Sequence, residues 1–450
     1  MSTERIEISN FGPIENATIE LNELIVLVGP QASGKSTLAK LIYLFRLMKK
    51  IFGQPYFEQI DKLISSKSKE TVFEVELIHD TFKKQILSKI NSIFGKEYTK
   101  ANYSIKFYIS NEKCFELSSN GYGTDELKTP NDFNDLIREL NAFLVDVTVQ
   151  NNEILKSEIG QFEKSQSPEF KAYLINSNAK LLMNSKIEVY FNNNRDSFYI
   201  PAGRAAFSLI SDQFSNLNYT QIEEVYKKYI DKIKGVYQHS SYEEFFRYIS
   251  PWSENVDELT RILKDSFSIA DRILKGKYTY VEGEPRIEFG NNDYVRLNFA
   301  SSGQQEAISI ILICLELISV EYNNFIVIEE PEAHLFPEAQ FEIVKLISNV
   351  LNCPGVNNNI VITTHSPYIL SSINCLLLGG NEVGNIEEKN KILDKNYWIS
   401  NKKCNAYSVD GKVKSIMDDE LGILDIDYVD SISSLINDIH SKLIELKYKD

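Results

Sequence analysis

Long apolar runs are missing from this 450-residue chain, which excludes a helical membrane span needing roughly 20 consecutive apolar residues. The start Met1-Ser-Thr-Glu-Arg lacks the apolar stretch of a secretory leader, so a cytoplasmic location is expected. Cysteine is scarce: Cys114, Cys314, Cys353, Cys375 and Cys404 form an odd set without C-x-x-C pairing. That pattern argues against a disulfide framework or a zinc cage and leaves reduced, mostly buried thiols as the expectation. Sustained heptads are missing too, which removes a long coiled coil. Basic charge is in deficit. The formal net charge of -15 repels a phosphate backbone, and non-specific duplex binding rests on Lys and Arg neutralising phosphates. Nucleic acid is thereby disfavoured, although a local basic patch made by folding remains compatible with the count. The run Arg46-Leu-Met-Lys-Lys reads as the solvated end of a helix.

What is present is an ordinary globular composition, 43% hydrophobic and 25% charged, long enough for two or three structural units. Its most informative string is Gly29-Pro30-Gln31-Ala32-Ser33-Gly34-Lys35-Ser36, followed by Thr37. The apolar run Leu24 to Val28 precedes it as a buried strand, and Leu38, Leu41, Ile42, Phe45 and Met48 follow at helical spacing. A G-x-x-x-x-G-K-S loop between a strand and a helix N-terminus is a phosphate cradle. Backbone N–H groups face the phosphates, Lys35 reaches the β/γ-phosphates, and the Ser36 hydroxyl binds Mg2+.

Further along, strand-like runs at Arg5 to Ile8 and Ala17 to Leu21 flank the turn signal Asn10-Phe-Gly-Pro. Alternation from Tyr103 to Ile109 predicts another strand, and residues 152–179 read as a charged helical region. Strand character returns over Ile187 to Ile200 and ends in Tyr199-Ile-Pro-Ala-Gly-Arg204. Ile222, Val225, Tyr226 and Tyr229, then Leu259, Ile262 and Leu263, predict helices. Strands resume at Tyr278 to Val281, Arg286 to Phe289 and Val295 to Phe299. The expected partition is a nucleotide-binding core of 1–53, 187–204 and 276–450, interrupted by a mixed α/β insertion (54–186) and a helical insertion (205–275).

Within 276–450, Ser301-Ser302-Gly303-Gln304 opens an apolar, buried helix and supplies a second anion cradle. The run Phe325 to Ile328 is a buried parallel strand ending in Glu329-Glu330-Pro-Glu-Ala-His334. Carboxylates at the C-terminal end of such a strand lie where ligands bind in open α/β sheets. Glu329 is the candidate Mg2+ holder and Glu330 the group that orients or deprotonates the attacking water. His334 reads as a packing or turn residue. A last apolar strand, Ile360 to Ile362, leads to Thr363-Thr-His365-Ser-Pro, where His365 can contact the γ-phosphate or the attacking water. Arg204 is a candidate for the γ-phosphate or a subunit contact, with a surface salt bridge as the alternative. The acidic cluster at 418–420 reads as a solvated turn, and Ile423 to Leu446 as a terminal helix.

In this order, these residues resemble the ATP-binding-cassette class of P-loop ATPases. Ile8-Ser-Asn-Phe-Gly-Pro-Ile, Tyr199-Ile-Pro-Ala-Gly-Arg, Glu-Glu-Pro-Glu-Ala-His-Leu and Thr-Thr-His-Ser-Pro look like the bacterial AAA-type ATPases of the overcoming-lysogenization-defect (OLD) group, whose relatives include the ATPase subunits of anti-phage systems such as PARIS and Septu. The resemblance covers 1–53, 187–204 and 276–450 and leaves both insertions unmatched. It implies an α/β P-loop NTPase of the cassette type with two largely helical insertions, ATP and Mg2+ as ligands, and at least a homodimer in which Ser301 to Gln304 of one copy complete the phosphate site of another. Two departures stand out: the usual Leu-Ser-Gly-Gly-Gln signature is Ala300-Ser-Ser-Gly-Gln, and Glu329 replaces the usual Asp. The topoisomerase-primase nuclease of OLD enzymes is not expected in 366–450, so a separate effector protein is implied. The expectation is an ATP-hydrolysing sensor or scaffold of anti-phage defence; the alternative is a DNA-acting ATPase of the repair or recombination type.

Overall fold

The computed structural model describes residues 4–65, 75–95, 97–98, 102–121, 125–157, 168–206, 224–238, 241–290, 293–382, 384–418, 420–425 and 438–444. Its chain forms two compact units, one of residues 1–11 and 41–194 and the other of 12–40 and 195–450.

The first unit contains β1 (Arg5–Phe11) and a later meander, β4 (Asn102–Tyr108), β5 (Cys114–Asn120) and β6 (Asp125–Lys128), in the antiparallel order β6-β5-β4-β1. Tyr103, Ile105 and Phe107 point to the buried face of β4, so the alternation legible in the sequence is the pleat of a half-buried strand. Helices α2 (Val75–Phe94), α3 (Phe133–Ser157) and α4 (Pro168–Tyr190) complete this unit. Helix α2 buries Ile78, Phe82, Ile86, Ile90 and Ile93, one stripe at helical spacing. Aromatic rings fill the interior: Phe52 lies 4.9 Å from Phe133 and 5.6 Å from Phe82, and Phe115 stacks on Phe191 at 5.5 Å. Such ring pairs contribute about 0.5–1.5 kcal/mol each beyond their buried area.

The second unit carries the sheet that matters for function. Strands β2 (Ile14–Glu20), β3 (Leu24–Val28), β7 (Asp196–Ile200), β11 (Asn324–Glu329), β12 (Asn359–Thr364), β13 (Cys404–Asp410) and β14 (Lys412–Ser415) stand in the order β2-β14-β13-β3-β12-β11-β7. Strands β13, β3, β12, β11 and β7 are mutually parallel, and β3, β11 and β12 are buried along their whole length. Continuous apolar runs are what a sheet covered on both faces requires. A separate antiparallel sheet consists of β8 (Lys277–Val281), β9 (Glu284–Gly290) and β10 (Asp293–Arg296). Helices α5 (Glu224–Val236), α6 (Val256–Leu274), α7 (Ser302–Ser319), α8 (Pro337–Leu351) and α9 (Pro367–Gly380) share one apolar core with the sheet. Among the helices, α7 is apolar nearly all round, with Ile308, Ile310, Ile311, Leu312, Ile313 and Leu315 fully buried.

The boundaries differ from the expected partition for physical reasons. Helix α1 (Lys35–Ser65) starts in the second unit and continues unbroken into the first, where Phe52 belongs to the aromatic cluster. Tyr229, Leu259 and Leu263 of the expected helical insertion join the same core as Ile308 and Ile326, so contacts place 205–275 with the second unit. Ile187 to Tyr190 end helix α4 instead of starting a strand, and strand structure begins at Asp196. Likewise Leu297 to Phe299 form a single 3-10 turn after β10. Ile423 and Leu424 pair with Asp418 and Met417 as a short hairpin whose Leu424 N–H and carbonyl both bond the Asn374 side chain, whereas residues 438–444 of the expected terminal helix are helical. Ile222, residues 158–167 and residues 426–437 of the expected helices lie outside the described residues. Cys314, Cys353 and Cys404 are buried, with burial pushing each thiol up to about 12, while Cys114 is half-buried and Cys375 exposed.

Candidate functional site

Parallel register puts the chemistry-bearing residues at one sheet edge. Val28 of β3 pairs with Thr364 of β12, Thr363 pairs with Glu329 of β11, and Ile328 pairs with Ile200 of β7. Gly29, His365, Glu330 and Pro201 therefore leave their strands at the same C-terminal edge, where open α/β sheets bind ligands.

The loop from Gly29 to Ser36 owes its shape to backbone that few side chains tolerate. Ala32 and Gly34 have φ of 59° and 106°. A Cβ on Gly29 would stand 2.1 Å from the Val409 carbonyl oxygen of β13, so only glycine fits there. The Gly34 carbonyl accepts from Leu38 N–H at 2.9 Å and starts helix α1. Gln31, Ala32 and Ser36 are exposed; Ser33, Lys35 and Thr37 are buried, and the Ser33 hydroxyl has no hydrogen-bond partner among the described residues. Lys35 Nζ donates to the carbonyls of Gly29 at 2.8 Å and Pro30 at 2.6 Å. Burial pushes its ammonium below the ordinary lysine range, against the pull of Glu330, Glu332 and Glu329, which favour the charged form. A cation facing three carboxylates is the electrostatic centre of this edge.

Glu329 is 3% exposed; its Oε2 accepts from Ala202 N–H at 3.1 Å, and its buried Oε1 has no hydrogen-bond partner among the described residues. Glu330 has φ of 43°, an uncommon conformation for a side chain of this size, and its N–H donates to the Thr363 carbonyl at 2.9 Å. His365 Nδ1 lies 3.7 Å from Glu330 Oε1 and 3.4 Å from Glu332 Oε1.

Arg204 is neither a surface salt bridge nor exposed toward a phosphate or a subunit, because it is fully buried. Its guanidinium donates to the carbonyls of Pro201 (2.8 Å), Glu329 (2.6 Å), Glu330 (2.9 Å) and Glu306 (3.2 Å). The Glu306 carboxylate takes the N–H groups of Arg204 and Ala205, each at 3.0 Å, and sits 3.2 Å from Arg204 Nε. This planar fork ties the strand ends carrying Glu329 and Glu330 to helix α7.

At the start of α7, Ser301 and Gln304 form a reciprocal capping box, with Ser301 Oγ accepting from Gln304 N–H at 3.3 Å and Ser301 N–H donating to Gln304 Oε1 at 3.0 Å. Gln304 Nε2 donates to the Leu274 carbonyl at 2.7 Å. Gly303 packs on the backbone of His334, where an added Cβ would meet the carbonyl oxygen at 2.6 Å. His334 is itself exposed, with φ of 59°, and serves the turn. Lys35, Glu329, Glu330 and His365 are thus gathered at one edge, whereas the contacts of Ser301 to Gln304 run to Leu274 and His334. Asp418 caps its own turn by accepting from the N–H groups of Glu420 (2.9 Å) and Leu421 (2.8 Å), as a solvated turn would; Asp419 lies outside the described residues.

Residues 1–370 match the AAA ATPase domain family. The chain belongs to that family. It is an α/β P-loop ATPase that binds nucleotide and hydrolyses ATP. Among solved structures, the ATPase is similar to the SMC head domain from Thermotoga maritima, at 10% identity over 92% of this chain and 98% of that chain, with a TM-score of 0.33. The Smc head with an extended coiled coil bound to the C-terminal domain of ScpA, derived from Pyrococcus furiosus, is 10% identical over 97% and 100% of the two chains, with a TM-score of 0.36. A dimeric ATP-binding cassette in a post-hydrolysis state with ADP and Pi is 10% identical over 91% and 96%, with a TM-score of 0.28. No curated protein matches the chain in sequence.

Two residues hold places at this edge that differ from what the residue pattern suggests. Glu332 was visible as a third carboxylate in Glu-Glu-Pro-Glu, but it follows the strand and its reach depends on a turn that spacing does not encode. Arg204 was expected at the γ-phosphate, at a subunit contact or in a surface salt bridge, and is instead a fully buried clamp.

Proposed function

We propose that the ATPase binds Mg-ATP between two copies of the chain and uses this closed assembly to control a separate effector of a bacterial anti-phage system. The observation that carries the composite site is the start of α7: Ser301 and Ser302 are exposed at a helix N-terminus, and their segment binds its own chain through Leu274 and His334. A second anion cradle facing solvent suits a phosphate brought by another copy. In this reading Gly29 to Thr37 cradle the phosphates, and the Ser36 hydroxyl with the Glu329 Oε1, which has no partner among the described residues, holds Mg2+, which neutralises charge on the reacting phosphates when bound. Glu330 orients or deprotonates the attacking water, and His365 contacts the γ-phosphate or that water. Contacts from both copies to the γ-phosphate hold the closed state, so their loss on hydrolysis shifts the population toward opening. Control of an effector rests on the likeness of the four sequence motifs to anti-phage ATPase subunits.

Complementation tests the composite site. Lys35→Ala and Ser301→Arg copies, each inactive alone, should regain turnover when mixed, because one of the two mixed sites is intact. Mixtures as inactive as their components would refute it. For effector control, the protein encoded by the neighbouring gene should co-purify with the ATPase in a nucleotide-dependent way; a neighbour that binds in no nucleotide state would sink that part.

A further inference from the structure

We propose that Glu332 is a positioning residue that fixes the His365 ring at the nucleotide edge and selects which ring nitrogen is left for the phosphate or the water. It deepens the reading above and rests on the role given there to His365. Glu332 is only 4% exposed. Its Oε1 accepts from the Thr364 hydroxyl at 2.8 Å and from His365 N–H at 2.9 Å, and His365 Nδ1 lies 3.4 Å away. Glu330 Oε1 is farther from the same nitrogen, at 3.7 Å. A carboxylate beside Nδ1 favours a proton there, which leaves Nε2 as the outward nitrogen of a ring that is 43% exposed.

The surrounding bonds make the placement rigid. Thr364 Oγ1 accepts from Ser366 N–H at 3.0 Å, Ser366 Oγ donates to Gln340 Oε1 at 2.6 Å, and Gln340 Nε2 donates to the Leu335 carbonyl at 2.9 Å. Glu332 and Gln340 thus bridge the turn after β11 to the turn after β12 twice. A loop pinned only for stability would need no ionised group, since a buried carboxylate is costly to desolvate. The buried Glu332 Oε2 has no hydrogen-bond partner among the described residues, and its carboxylate is one of three that favour charge on Lys35.

The test compares E332A, E332Q, H365A and the double variant E332A/H365A in steady-state Mg-ATP hydrolysis, with 15N spectra of the histidine ring assigned through H365A. Carboxylates that orient metal-ligating histidines are worth about 10–100-fold, and a loss of the same order in kcat with little change in KM for ATP is expected of E332A. E332Q, which keeps an acceptor oxygen, should recover part of the loss, and it carries the test should E332A fail to fold. The double variant should be no slower than H365A, and the ring-nitrogen shifts of His365 should move in E332A. Losses that add in full in the double variant, or unmoved ring-nitrogen shifts, would overturn the proposal. Wild-type turnover by H365A would instead overturn the reading of His365, while the spectra still decide whether Glu332 sets the ring.

Discussion

Arg204→Met should separate the stability of the second unit from its catalysis. The guanidinium binds four backbone carbonyls and the Glu306 carboxylate with no exposure to water, so methionine takes one donor from each of those acceptors and leaves the Glu306 carboxylate as a buried charge held by the N–H groups of Arg204 and Ala205. Removing one partner of a buried ion pair costs about 3–5 kcal/mol. The tryptophans Trp252 and Trp398 both belong to the second unit, so their fluorescence in a urea titration reports that unit alone. Replacing Glu306 by methionine as well should restore most of the lost stability, since apolar groups of similar volume substitute well for a buried pair. Turnover should stay low in the double variant. The backbone of Glu330, at φ 43°, costs about 1–3 kcal/mol to hold and depends on its anchors at Arg204 and Thr363. Unfolding of Arg204→Met within about 0.5 kcal/mol of the wild type, the range of an ordinary surface change, would refute the clamp. Recovery of turnover along with stability would refute the link to Glu330.

Other consequences follow from single contacts. Lys35→Ala should weaken nucleotide binding by about 1.5–3 kcal/mol, the worth of hydrogen bonds to a charged group, read by titration with a fluorescent ATP analogue. Unchanged affinity would remove Lys35 from the phosphate site. Gly303→Ala forces the α7 start away from the His334 carbonyl, so turnover should fall while ATP affinity in the isolated chain persists; full activity would show that this close approach is dispensable. In native protein a thiol reagent should label Cys375 first, and Cys314, Cys353 and Cys404 only on unfolding, because burial keeps their thiols protonated with values of about 12. Mass mapping of a brief labelling pulse checks the order.

Much of the nucleotide edge was legible because it is written in local patterns. The apolar runs at Leu24 to Val28 and Phe325 to Ile328 read as buried strands, and because these strands run parallel the residues that follow them share one edge. Legibility stopped where meaning depends on distant partners. Nothing local distinguishes Ile187 to Tyr190 as the end of a helix from the start of a strand, and only packing decides it. Arg204 read as a γ-phosphate or subunit contact, or else a surface salt bridge, because its four carbonyl acceptors come from three separate segments. Glu332 gains its role from the turn that folds it under His365, which residue spacing does not encode. The unit boundary within α1 was hidden for a related reason, since the helix itself is continuous while Phe52 serves another core.

The most direct measurement is Mg-ATP hydrolysis by Glu330→Gln beside direct detection of bound nucleotide. The variant should retain ATP with near-normal affinity while its turnover falls by about 10²–10⁴-fold, the usual contribution of a positioned general base. Turnover at the wild-type rate under saturating Mg-ATP would contradict that role.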